Sequence, residues 1–189
     1  MLTVTQQNPA LTTPVWLERS QLIDAPEPVI LDWLFNQDSL TRRLDLLSDG
    51  GFSVIPLFEG WQPLRDDECA ALALPRASEG WVREVYLLGN DSRWVFARSV
   101  AARSALETGG LQMDALGSRS LGELLFSDPA FERGALQVCR YPQRWLPPAD
   151  SAEGLWARRS CFNRGSLSVL VAEVFLPTFS SVIQKKEQA

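Results

Sequence analysis

Ser168-Val169-Leu170-Val171-Ala172-Glu173-Val174-Phe175-Leu176-Pro177 is the stretch on which the reading of this chain turns. β-Branched and aromatic residues over the length of one strand, closed by a proline, describe a strand apolar on both faces, of the kind found in the middle of a covered sheet. One residue breaks that pattern. An ionised carboxylate at Glu173, with apolar neighbours on either side, costs several kcal/mol unless it is paired or takes up a proton. Two readings follow: a structural ion pair with an arginine, or a ligand group lining an internal cavity.

The segment before it, residues 155–162 with a turn at Asn163-Arg164-Gly165, reads as its hairpin partner. Arg158 and Arg159 alternate there, so one of them points inward, either to pair with Glu173 or to grip a ligand carboxylate. The clearest hairpin is residues 81–88 and 93–100 about Gly89-Asn90-Asp91-Ser92. Alternation puts Trp81, Arg83, Val85 and Leu87 on one face and Val82, Glu84, Tyr86 and Leu88 on the other. Arg83, set among apolar neighbours, needs a carboxylate, from Glu173 or from a ligand. Residues 52–59 read as an edge or bulged strand because of Pro56, and residues 131–141 as a further strand before a Pro-rich loop at 144–153.

Helices are expected at 29–35 behind Pro28, at 40–47 behind the cap Asp38-Ser39, at 65–74, and at 118–126. In the second, Leu40, Leu44 and Leu47 share a face, and Gly50-Gly51 ends it. Helix starts leave amides without intrahelical partners, here including those of Leu40 and Leu121, and such amides can receive a carboxylate. Residues 1–14 are expected as a loose arm, 104–113 are weakly patterned, and 180–189 form a polar tail that frays at its end. The fold class is α+β: one domain over residues 1–189, an antiparallel sheet of about six strands with helices on one side.

Composition bounds the chemistry. The 189 residues are 46% apolar, enough for one core, and a net charge of −5 argues against a nucleic-acid surface built on excess Lys and Arg. No apolar run is long enough to cross a bilayer and no secretory signal is visible, so a cytoplasmic protein is expected. Three widely spaced cysteines fit reduced thiols better than a disulfide framework or a zinc site. There is no histidine, which excludes Ser-His-Asp and Cys-His catalysis and His-based zinc sites. Lysine occurs only at Lys185 and Lys186, so there is no P-loop and no well-placed Schiff-base lysine. What remains is arginine, carboxylates, backbone amides and shape, a set suited to an anionic substrate whose reaction needs positioning more than a strong nucleophile.

Several segments in consistent order resemble the chorismate pyruvate-lyases of ubiquinone synthesis: Leu31-Asp32-Trp33-Leu34 with Asp38-Ser39-Leu40-Thr41-Arg42-Arg43, Trp81-Val82-Arg83-Glu84-Val85, Leu121-Gly122-Glu123-Leu124-Leu125-Phe126, Gly154-Leu155-Trp156-Ala157-Arg158-Arg159-Ser160 and Glu173-Val174-Phe175-Leu176-Pro177. The resemblance implies a six-stranded antiparallel sheet with helical flaps over an internal site, and conversion of chorismate to 4-hydroxybenzoate and pyruvate without metal or organic cofactor. It places the ligand contacts on Leu40, Arg83, Leu121 and Glu173, with Arg83 and Glu173 as the catalytic pair. Leu40 stands where well-known relatives have methionine, and residues 127–150 match the family pattern poorly. Two other readings stay open. One is a non-catalytic sensor of small acids on a related fold, though the chain has no room for a helix-turn-helix before residue 31. The other is a structural or partner-binding protein in which Arg83 and Glu173 are only a buried ion pair. With no long exposed apolar stripe, a monomer is expected.

Overall fold

A computed structural model describes residues 13–103, 106 and 116–187. Most of the expected N-terminal arm, nearly all of the weakly patterned stretch at 104–113 and the last two residues lie outside them. Among the described residues, seven antiparallel strands form one sheet: β1 (Phe52–Pro63), β2 (Glu79–Gly89), β3 (Ser92–Ala102), β4 (Glu132–Arg133), β5 (Gln137–Arg140), β6 (Trp156–Arg164) and β7 (Leu167–Phe175). Their order is β1-β2-β3-β7-β6-β4, with β5 also pairing with β6. The count exceeds the expected six because the segment at 131–141 splits into two short strands along β6. The glutamate-bearing strand β7 is central, between β3 and β6.

Turn chemistry fixes the register. Asn90 and Asp91 both have positive φ, 49° and 61°, as a two-residue type I′ turn requires, and Gly89 pairs with Ser92. Gly89 itself is obligatory, since a Cβ there would lie 2.1 Å from the Trp94 ring. Through this register Trp81, Arg83, Val85 and Leu87 share one face with Val95, Ala97, Ser99 and Ala101 of β3, and with Val169, Val171, Glu173 and Phe175 of β7.

That face is covered by α1 (Pro28–Phe35), α2 (Leu40–Leu47), α4 (Leu121–Ser127) and α5 (Pro177–Glu187), and the opposite face by α3 (Asp66–Ala71) with the segment around Trp16 and short 3-10 turns at Gln143–Trp145 and Pro148–Asp150. Pro28 stands at the first turn of α1, and Ser39 caps α2 by accepting from the Arg42 amide. The polar C-terminal stretch is helical as far as Glu187, so the expected fraying does not show at 185–187. Phe179 and Ile183, one turn apart, are buried against Trp33, Trp94 and Phe175, and Phe179 meets Phe175 at 4.9 Å and Trp33 edge-on at 4.9 Å. That apolar pair draws the segment into a helix despite its surroundings. Burying the phenyl ring is worth about 1.5–3 kcal/mol.

The opposite face carries its own charges. Arg98 donates to Glu68 at 2.6 and 3.0 Å and to Glu84 at 2.8 Å, Arg159 reaches Asp67 at 3.3 Å over the Trp16 ring, and Arg65 donates to the Tyr141 hydroxyl at 2.7 Å. Tyr86 on this face donates to Asp150. All three cysteines are free, and burial pushes the thiols of Cys139 and Cys161 above their ordinary range, so neither is a nucleophile at neutral pH.

The two tyrosines of the chain give a pH test. Burial raises Tyr86 to about 12, with the bond to Asp150 adding to it, and burial raises Tyr141 to about 12 against the pull of Arg65. In the unfolded chain both ionise near 10. Their contribution to stability is therefore complete below about pH 10 and is lost as pH rises to about 12. Absorbance at 295 nm should show tyrosinate forming near pH 12 and together with unfolding; ionisation near pH 10 in a folded protein would contradict these contacts.

Candidate active site

The covered face of the sheet is apolar at both ends and polar at its centre. Towards one end Trp33, Leu34, Val95, Phe175 and Phe179 form one cluster, and towards the other Leu121, Leu125, Phe162, Val169 and Val171 form a second. Between them lies an internal cavity of about 30 Å³ bordered by Arg83, Ser99, Ala97, Glu173, Thr41 and Leu121. Ala97 and Ser99 keep it open: they stand on β3, between the strands carrying Arg83 and Glu173, and their side chains are too short to fill the gap. Strand spacing and register put the Cα atoms of Arg83 and Glu173 roughly 12 Å apart, so their side chains approach the cavity from opposite sides.

Arg83 is 2% exposed. Its carboxylate partner is Glu59 of β1, not Glu173. Register explains the difference: a bulge between Pro56 and Phe58 inserts one residue into β1 and turns Glu59 to the covered face, opposite Arg83. The same guanidinium donates through Nη2 to the carbonyls of Gly117 at 2.6 Å and Arg119 at 3.0 Å, just before α4. Burial lowers its pKa. Backbone carbonyls thus take up the two N–H donors of Nη2, while the Glu59 carboxylate lies against Nη1.

Glu173 pairs with Arg158, directly opposite on β6, at 2.7 Å. Arg158 is 1% exposed and also donates through Nη1 to the carbonyls of Trp33 at 2.9 Å and Asn36 at 3.1 Å, at the end of α1. So Arg158 is the inward arginine, and Arg159 belongs to the network on the opposite face. Both helix starts reach the cavity. The hydroxyls of Thr41 in α2 and Ser120, the cap of α4, lie 2.6 Å apart and tie the two helices together. Leu40 differs from the other three expected contacts: its side chain is buried in the first apolar cluster, and Thr41 beside it borders the cavity.

A family model described as chorismate lyase matches residues 10–187. The chain belongs to the chorismate lyase family. A probable chorismate pyruvate-lyase of Pseudomonas savastanoi pv. phaseolicola is 74% identical over 184 residues, covering 97% of this chain and 99% of that one. One of Pseudomonas aeruginosa is 65% identical over 164 residues, covering 87% and 92%. Among solved structures, a PhnF C-terminal domain superposes with a TM-score of 0.53 at 14% identity over 70% of this chain and 87% of that one. PhnF from Mycobacterium smegmatis gives 0.50 at 12% identity over 76% and 65%. Those two likenesses are of fold alone.

Within the chorismate lyase frame, three of the four expected contact residues, Arg83, Leu121 and Glu173, border one cavity, and the fourth adjoins it through its helix start. Sequence reasoning missed Glu59, Ser160, and Arg133, whose Nε donates to the Ser160 hydroxyl at 2.8 Å. Glu59 had a usable signal, a lone carboxylate in an apolar strand holding a proline that invites a bulge. Arg133 had none, because a two-residue strand shows no alternation.

The Arg158–Glu173 pair makes a stability prediction. Removing one member of a buried pair strands the other, at about 3–5 kcal/mol. Arg158→Met should lower the urea midpoint by the equivalent of about 3 kcal/mol, the lower end because Glu173 is not wholly buried, and adding Glu173→Leu should restore much of it. A single variant as stable as the parent would show that the pair carries no weight.

Proposed function

We propose that the chain removes pyruvate from chorismate to give 4-hydroxybenzoate, as a cytoplasmic monomer feeding ubiquinone synthesis, and that the cavity beside Arg83 and Glu173 is where it does so. The observation that carries this reading is the convergence of Arg83, Glu173 and two helix starts on one cavity in a chain of this family. Chorismate is a dianion with a ring carboxylate and an enolpyruvyl carboxylate. The donors of Arg83 other than those of Nη2, with the amides at the starts of α2 and α4, are suited to the ring carboxylate.

Glu173 then faces the far end of the ring, where C4 carries the hydroxyl. The reaction breaks the bond from C3 to the ether oxygen and removes the proton on C4; the ring becomes aromatic, and the departing enolpyruvate takes up a proton to become pyruvate. Aromatisation supplies the driving force, so the protein's task is to hold a reactive conformer and place a proton acceptor. Arg158 orients the Glu173 carboxylate for that acceptance or for a bond to the hydroxyl. A cavity of 30 Å³ has the room of a single water, whereas ligand sites run to roughly 300 Å³ or more. Substrate therefore enters only when α2 and α4 part, which breaks the Thr41–Ser120 contact. A cleft of about 780 Å³ between those helices, with Gln37, Phe52 and Phe126 in its walls, is the approach.

Purified protein mixed with chorismate alone should release 4-hydroxybenzoate and pyruvate in equal amounts, followed by absorbance and chromatography. Binding of chorismate without product would favour the sensor reading instead. Arg83→Gln should raise KM by roughly 10- to 150-fold, the range of a hydrogen bond to a charged group, in a protein whose circular dichroism is unchanged. Glu173→Gln should lower kcat by roughly 100-fold or more at similar KM; full turnover would remove proton acceptance from its roles.

A further inference from the structure

If the reading above is right, the substrate's second carboxylate needs a cation, and the two arginines already placed at the site are both neutralised, Arg83 by Glu59 and Arg158 by Glu173. A third arginine stands at the same place. Arg133 on β4 pairs with Phe162 in register and reaches across the covered face of β6, where its Nε donates to Ser160 at 2.8 Å, the residue opposite Val171 of the cavity wall. Its Nη1 donates to the carbonyl of Gln37 at 3.1 Å in the wall of the approach cleft, and its guanidinium lies 5.3 Å from the rings of both Phe126 and Phe162.

No carboxylate lies within ion-pairing distance of Arg133 among the described residues, in contrast to Arg83, Arg98, Arg158 and Arg159, which all have one. Burial pushes its pKa down to about 10, with the charge of Arg158 adding to this and Glu173 opposing it. A half-buried cation beside another cation, with no anion of its own, is a site that an incoming anion stabilises. Ser160 and the Gln37 carbonyl hold the fork in place without neutralising it.

We propose that Arg133 binds the enolpyruvyl carboxylate of the substrate, at the point where the approach cleft meets the cavity. It is a substrate-binding residue for the half of the molecule that leaves, and 4-hydroxybenzoate, which lacks that half, does not use it.

The test compares two ligands on one variant. For Arg133→Gln, KM for chorismate should rise roughly 10- to 150-fold, the range of a hydrogen bond to a charged group, while Kd for 4-hydroxybenzoate, read from tryptophan fluorescence, stays at the parent value. Arg133→Lys keeps the charge without the fork and should show a smaller rise in KM alone; it carries the same comparison if the glutamine variant does not fold. A parallel rise for both ligands would mean that Arg133 only shapes the pocket, and no rise for either would mean that it does not touch substrate. Both outcomes overturn the proposal. An unmodified protein that does not turn over chorismate would instead remove the reaction assigned above, so the two failures are told apart by the parent control.

Discussion

A carboxylate in the middle of a covered strand remains charged only if a cation lies against it, and the Arg158–Glu173 pair meets that requirement at the centre of this sheet. Its consequences extend beyond β7. Arg158 also takes the carbonyls of Trp33 and Asn36, groups that the end of α1 leaves without helical partners. One guanidinium thus fixes β6 to β7 and docks α1 on both. Only residues 36–39 separate α1 from α2, so the same anchor sets where α2 begins and where Thr41 meets Ser120. Glu173 is held in place by the group that also positions one wall of its cavity.

Much of this was legible in the sequence, for physical reasons that differ by residue. Strand alternation is a strict period of two, so the faces of Arg83, Glu84 and Glu173 followed once the hairpin turn at Asn90-Asp91 fixed the register. Caps are equally local, and Ser39 and Ser120 stand where their side chains can satisfy an early amide. Partners across strands were not legible. Straight alternation from Val54 sends Glu59 to the opposite face, and only the bulge beyond Pro56 brings it to Arg83. Arg133 comes from a segment whose pairing is too short to leave a pattern and which matches the family poorly. The C-terminal helix failed differently. Phe179, Val182 and Ile183 carry a helical stripe, but polar residues around them masked it.

The two faces of the sheet use the same residue types to opposite ends. On the face under α3, the two buried arginines meet carboxylates: Arg98 has Glu68 and Glu84, and Arg159 has Asp67. The space among them is about 10 Å³, too little to hold a ligand. There the charges act as core, satisfied by one another. On the face under α2 and α4, Ala97 and Ser99 stand where larger side chains would have closed the gap, and the cations outnumber the anions.

That surplus matters because the protein as a whole carries a net charge of −5. A dianionic substrate gains nothing from the long-range field of such a chain, and at physiological ionic strength that field fades within about 8 Å of the surface. Attraction has to be local. Arg83 and Arg158 each arrive with a carboxylate attached, so their fields are largely those of dipoles, which orient a bound anion but draw it in weakly. The Arg133 guanidinium, held by the Ser160 hydroxyl and the Gln37 carbonyl and with no carboxylate against it among the described residues, keeps its full charge in a setting of low dielectric where that charge is felt most. The site thus separates two tasks that one arginine could not perform equally well: paired arginines set the geometry, and the unpaired one supplies the net attraction.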